Sequence, residues 1–258
     1  MRSIWSGAIS FGLIYIPIKL FSATQEEQLD FDMLRKGDLC PIRFVRVCES
    51  DGEEVEYADI VKGYQYRKGD YVVVTDEDFK AAAPKKTQTI EIVAFIKETE
   101  VDAKLLETPY YLEPAKGAAK AYALLREALQ KTEKVAVAKY VLRTRERMCL
   151  LRAEGDMIVL LQMRWASEIR DPEGLELPSA KAIQKKELDM AVRLVDQLTE
   201  TFDPTEYKDT YTETLRKFIE DKAAGKTQEP EEDEPIPSEV TDLFAKLRES
   251  LEMTGAKK

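Results

Sequence analysis

The chain contains no histidine among its 258 residues. That absence removes Ser-His-Asp and Cys-His nucleophile sites and the HExxH zinc motif, because each needs an imidazole as base or ligand. Carboxylate, lysine or tyrosine chemistry survives it. The acidic group Glu53, Glu54, Glu56 and Asp59 is the candidate of that kind, with Glu54 and Glu56 on one face if the segment is a strand. Acidic residues in turns are ordinarily solvated, so a protein that is not an enzyme is expected. Cysteine is scarce too. Cys40, Cys48 and Cys149 form no CxxC pair and leave an odd count, which suits a reducing compartment better than a disulfide scaffold. No further ligands join Cys40 and Cys48, and neither GxGxxG nor GxxxxGK[ST] occurs, so no metal and no cofactor is expected. Long hydrophobic runs are missing as well. Residues 4–20 are interrupted by Gly7, Gly12, Pro17 and Lys19 and read as strands rather than a secretion signal or a bilayer span. A soluble cytoplasmic protein with no membrane partner is the expectation.

What is present is a chain of 44% hydrophobic residues, ample for a packed interior. Up to about Thr108 the signals are mostly β: short apolar or alternating segments at 9–20, 42–47, 71–75 and 89–96. Lys36-Gly37-Asp38, Asp51-Gly52-Glu53 and Lys68-Gly69-Asp70 separate them as turns. The pattern predicts a barrel or sandwich rather than a βαβ fold. Ala121, Leu124, Leu125, Ala128 and Leu129 recur on one face, predicting a helix over 118–131; strands are then expected at 135–143, 148–151 and 157–165.

Past Asp171-Pro172 the periodicity becomes helical. Leu188, Ala191, Val192, Val195 and Leu198 form one stripe, and Tyr211, Leu215, Phe218 and Ile219 belong to a second helix. From Thr227 the run Glu229-Pro230-Glu231-Glu232-Asp233-Glu234-Pro235 reads as a solvated linker. Ser238 then caps a short amphipathic helix whose stripe is Val240, Leu243, Phe244, Leu247 and Leu251, expected to fold on a partner groove. The fold class is α+β. The expected organisation is a β core over 1–178, a helical segment over 179–226 that packs on the core or on a second subunit, and the linker with its docking helix over 227–258.

Met1-Arg2-Ser3-Ile4-Trp5-Ser6-Gly7-Ala8-Ile9-Ser10-Phe11-Gly12-Leu13, followed by Ile16-Pro17-Ile18-Lys19-Leu20-Phe21-Ser22-Ala23-Thr24, resembles the start of bacterial Ku proteins of non-homologous end joining. Arg46-Val47-Cys48, Asp51-Gly52-Glu53-Glu54-Val55, Ile60-Val61-Lys62-Gly63-Tyr64, Thr75-Asp76-Glu77-Asp78-Phe79 and Thr89-Ile90-Glu91-Ile92 are similar to the same family in the same order. So are Pro109-Tyr110-Tyr111-Leu112, Lys120-Ala121-Tyr122-Ala123-Leu124-Leu125 and Arg164-Trp165-Ala166, and the resemblance spans roughly residues 1–222. It implies a homodimeric ring, each subunit giving a β-barrel and a bridge at about 31–67, through which a duplex end is threaded. It also implies no catalytic activity, protection and pairing of double-strand breaks, a nucleoid-associated location, and recruitment of a multifunctional ATP-dependent DNA ligase. The terminal helix is similar to the family's ligase-recruiting segment, which points to Leu243, Phe244, Leu247 and Leu251. Some members end in lysine-rich tails that hold DNA; this tail is acidic, with only Lys257 and Lys258 at its end.

A protein that accepts any break must gain affinity from cations on phosphates, not from base edges. The candidates are Lys19, Arg35, Lys36, Arg43, Arg46, Lys62, Arg67, Lys68, Arg143 and Arg145. The net charge of −10 opposes this reading and motivates the alternative of an acidic protein–protein adaptor that does not bind DNA. After Lys226 there are 9 acidic and 4 basic side chains, which leaves 40 acidic and 35 basic before it. About half of the excess therefore lies in the tail. The remaining core can bind DNA only if its cations and carboxylates occupy separate surfaces, farther apart than the screening length of about 8–10 Å.

Overall fold

The computed structural model describes residues 1–25, 29–82, 88–143, 145–179, 183–226, 247, 248 and 250. It divides into two compact units, one ending at Asp171 and one beginning at Pro172.

The first unit is built on a closed barrel. Its seven strands are β1 (Trp5–Phe11), β2 (Ile14–Ser22), β5 (Thr89–Lys97), β6 (Leu106–Pro114), β7 (Lys134–Leu142), β8 (Arg145–Glu154) and β9 (Met157–Met163), in the order β1-β2-β6-β9-β8-β7-β5. All neighbours are antiparallel except β5 and β1, which close the barrel in parallel with Ile9 opposite Ile90. Closure removes the exposed edges of an open sheet. Alternation in β2 shows how the sequence builds it: Ile16, Ile18 and Leu20 are buried, while Tyr15, Pro17 and Lys19 between them face solvent. Gly7 is required where the barrel closes, because a Cβ there would lie 2.3 Å from the Gln88 carbonyl oxygen and 2.2 Å from the Trp5 ring.

Helix α2 (Ala119–Thr132) covers the barrel end where β7 begins. Tyr122, Leu125 and Leu129, spaced by three and four, bury one face against Ile9, Ile16, Leu112, Leu151 and Ile158. Glu133 ends the helix in the left-handed conformation, its N–H returning to the Gln130 carbonyl. The Tyr122 hydroxyl donates to Leu112 O (2.7 Å) and accepts from Ile158 N–H (2.6 Å), inserting itself between paired residues of β6 and β9.

Residues 29–82 leave the barrel between β2 and β5, and none of the residues in this arm is buried. It contains a two-stranded ribbon of β3 (Lys62–Arg67) and β4 (Asp70–Val74) and a short helix α1 (Asp76–Ala82). Thr75 and Asp78 cap α1 reciprocally: Asp78 N–H donates to Thr75 Oγ1 (3.2 Å) and Thr75 N–H to Asp78 Oδ2 (2.9 Å). The strand expected at 42–47 is absent; this stretch joins no ladder, apart from an isolated bridge between Val47 and Glu54. Its apolar residues are spaced like a strand's yet have no sheet of this unit to join.

The second unit contains α3 (Lys185–Leu198) and α4 (Thr210–Ala223). Gln184 caps α3 with Glu187, and Asp209 caps α4 by accepting from Thr212 N–H. Leu188, Val192, Val195 and Leu198 form an exposed stripe on α3.

Candidate nucleic-acid interface

The arm folds through backbone hydrogen bonds rather than through a core. One turn is closed by Ile42 N–H to Met33 O (2.9 Å) and Arg35 N–H to Cys40 O (2.9 Å), and Leu39 adopts a left-handed φ of 56° within it. A second is closed by Cys48 N–H to Glu53 O and Val55 N–H to Arg46 O, both 2.8 Å, around Gly52 at φ 76°. Large apolar side chains project from both turns and from the ribbon: Phe31, Phe44 (78% exposed), Val45, Tyr57, Tyr64 and Tyr71. Exposed apolar side chains in this number suit an interaction face.

Charge is segregated along the arm. From 33 to 46 it carries Arg35, Lys36, Arg43 and Arg46 against the one acid Asp38, and β3 with its turn carries Lys62, Arg67 and Lys68. Between them, residues 49–59 hold Glu49, Asp51, Glu53, Glu54, Glu56 and Asp59 and no cation. The four carboxylates weighed as an acid/base site, Glu53, Glu54, Glu56 and Asp59, are all exposed. Among the described residues no cluster of His, Cys, Asp or Glu is arranged to hold a metal.

The ten candidate cations fall into three groups. Some already have carboxylate partners: Lys19 lies 3.9 Å from Glu113, its cross-strand neighbour, and Lys62 lies 3.4 Å from Asp76. Arg35 Nε donates to Asp38 Oδ1 (2.8 Å), and this guanidinium is the main reason the Asp38 carboxyl is held below its usual range. Others stack on rings: Arg46 over Tyr57 (5.1 Å), Lys62 also over Phe79 (4.8 Å) and Arg67 over Tyr66 (5.9 Å). Lys36, Arg43, Lys68, Arg143 and Arg145 have no ion pair among the described residues. Arg143 and Arg145 sit on the barrel, not the arm, at the β7–β8 turn, where Arg143 has a φ of 62°. All the pairs just named are at exposed side chains, where such bridges contribute little and exchange readily for phosphate.

Residues 10–190 match the family described as the Ku70/Ku80 beta-barrel domain. This chain belongs to the Ku family. The Non-homologous end joining protein Ku of Opitutus terrae is 44% identical over 99% of this chain and 93% of its own length. Proteins of the same name from Pseudomonas aeruginosa and an Anaeromyxobacter species are each 44% identical over 97% of this chain, covering 88% and 85% of theirs. The Ku assignment fits the closed barrel. A solved SPOC domain of human PHD-finger protein 3 aligns with 63% of this chain and 97% of its own at 11% identity and a TM-score of 0.31, a likeness too distant to bear on the fold.

Leu243, Phe244 and Leu251 lie outside the described residues; Leu247 is helical and half-buried. Sequence reasoning passed over Arg147, half-buried on the β8 face that runs on through the buried Cys149 and Leu151. The period-two spacing from Arg145 into the buried Cys149 was the available signal. Among the described residues no helix is long and apolar enough to cross a membrane.

Proposed function

We propose that this protein is a non-catalytic binder of double-stranded DNA ends that works as a homodimeric ring threaded by the duplex. The observation that carries the reading is the arm: residues 29–82 expose Phe31, Phe44, Tyr57 and Tyr64, which nothing in their own barrel covers, beside separate cationic stretches. A second copy of the arm is the natural cover, and a symmetric pair of arms would close a loop. The named relatives act in non-homologous end joining, which supports the same assignment. Threading makes binding end-specific without recognition of the end itself, since a closed ring loads and leaves only at a terminus. The cations supply sequence-independent affinity to phosphates.

In this reading the protein protects and bridges broken ends in the bacterial cytoplasm, at the nucleoid. The helices of 179–226 pack on the core or the partner subunit. Residues 227–258 form an acidic linker and a docking helix that recruits an ATP-dependent DNA ligase through Leu243, Phe244, Leu247 and Leu251.

The net charge of −10 favours one rival, an adaptor that binds proteins and no DNA. Offering linear and covalently closed forms of one plasmid at moderate salt separates the two: threading retains the linear form alone, and retention of neither form leaves the adaptor.

A further inference from the structure

The barrel end opposite α2 is open. A cavity of about 550 Å³ there is lined by Trp5, Gln88, Tyr110, Arg143, Arg147 and Gln162, among others. Arg147 stands opposite Tyr140 in the β7–β8 register and is half-buried, two residues before the fully buried Cys149 on the same face. Gln162, in the cavity wall, is already paired on both sides of its amide. Tyr140 Oη donates to Gln162 Oε1 (3.1 Å), and Gln162 Nε2 donates to Glu107 Oε2 (2.7 Å). Glu107, the carboxylate in this chain of contacts, is also 3.8 Å from the Arg164 guanidinium. The side chains of Arg143 and Arg147 make no hydrogen bond or ion pair among the described residues. The cavity thus holds two unspent guanidiniums, with Glu107 already engaged elsewhere, and guanidinium matches a phosphate with paired donors. Its volume exceeds what a bare phosphate fills, and Trp5 and Tyr110 give it aromatic wall on which a flat ring can rest.

We propose that the open barrel end is a phosphomonoester site, with Arg147 as the inner and Arg143 as the outer phosphate ligand, sized to admit a mononucleotide. The ligand has two sources, a free nucleotide or the terminal nucleotide of a DNA strand, which share the phosphomonoester. The site stands apart from the ring reading, because binding a free nucleotide needs no duplex and no enclosure.

The chain has two tryptophans, so Trp165→Phe leaves Trp5 as the sole tryptophan, and its fluorescence, excited at the red edge where tyrosine does not absorb, reports on the cavity. In that background the full-length protein is titrated with deoxyadenosine monophosphate, deoxyadenosine and inorganic phosphate at constant ionic strength. The expected result is a saturable change with the nucleotide, none with the nucleoside over the same range, and competition by inorganic phosphate. Arg147→Gln should weaken nucleotide binding by about tenfold or more, the usual loss for a hydrogen bond to a charged group. Arg143→Asn, at an exposed left-handed position that asparagine tolerates, carries the same test should Arg147→Gln impair folding. Absence of a saturable change, an equal response to the nucleoside, or indifference to both arginine substitutions overturns the site. The source follows from displacing the nucleotide with short duplexes. Stronger displacement by 5′-phosphorylated than by 5′-hydroxyl ends assigns the DNA terminus, and equal displacement assigns the free nucleotide.

Discussion

Replacing Phe44 by serine tests the dimeric arm. The side chain is 78% exposed in the single subunit and contributes nothing to the barrel core, so the substitution should leave the folded subunit intact. Burying a phenylalanine side chain is worth about 1.5–3 kcal/mol. In a two-fold symmetric interface each residue is counted twice, so the dimer should lose roughly 3–6 kcal/mol. At about 1.4 kcal/mol per tenfold, the dimer dissociation constant should rise by roughly two to four orders of magnitude. Sedimentation equilibrium across a concentration series measures this directly, with far-ultraviolet circular dichroism and melting as the check on folding. An unchanged dissociation constant, or a wild-type protein that is monomeric at every concentration, would refute the assignment of the arm to a second copy.

Removing the Tyr122 hydroxyl as Tyr122→Phe leaves the buried Leu112 carbonyl and Ile158 N–H without the partner they share, and should cost about 2–4 kcal/mol in denaturant unfolding; a cost below about 0.5 kcal/mol would contradict the insertion into the β6–β9 pairing. Burial pushes the Cys149 thiol and the Tyr140 hydroxyl up, so both stay neutral in the folded barrel while the unfolded chain ionises them from about pH 8.5 and about pH 10. Their contribution is fully present below those values and is lost as pH rises, each adding a slope of about 1.4 kcal/mol per pH unit once the unfolded group is ionised, measurable as a falling urea midpoint; stability that is flat to pH 10.5 would contradict it. Deleting residues 238–258 should abolish stimulation of the partner ligase and leave retention of linear DNA largely intact, whereas unchanged stimulation in a joining assay would remove the docking role of the terminal helix.

Elements that bury a run or a face of apolar side chains in the core were legible in the sequence. The helix expected over 118–131 is α2, shifted by one residue: of its expected stripe Leu125 and Leu129 are buried, but Leu124 is exposed and Tyr122 takes its place on the core face; β5, β7 and β9 match expected strands, β9 as a buried apolar run. The segments that failed carry no such clear signal. Strand β3 carries Lys62, Gly63, Gln65 and Arg67 and exposes both faces, so no apolar period marks it. Strand β6 is interrupted by Pro109 and Pro114, which mask a strand that pairs on both sides. Residues 42–47 erred the other way, since an apolar stretch that stays exposed looks in the sequence like one that joins a sheet. Helix α1 did carry a signal, the reciprocal cap of Thr75 and Asp78, which composition obscures because the helix buries nothing. Which candidate cations are spent on Glu113, Asp38 or Asp76 was not legible, because such pairs depend on register and on turns rather than on residue type.

Threading is the central claim, and it can be tested apart from affinity. The protein is loaded on a short duplex carrying biotin at both ends, streptavidin is added to block them, and the salt is raised until phosphate contacts no longer hold an unblocked complex. A ring that encloses the duplex should remain on the blocked DNA and slide off the unblocked DNA at the same salt. Equal loss from both would mean that the protein grips DNA from the side and that the ring is not closed around it.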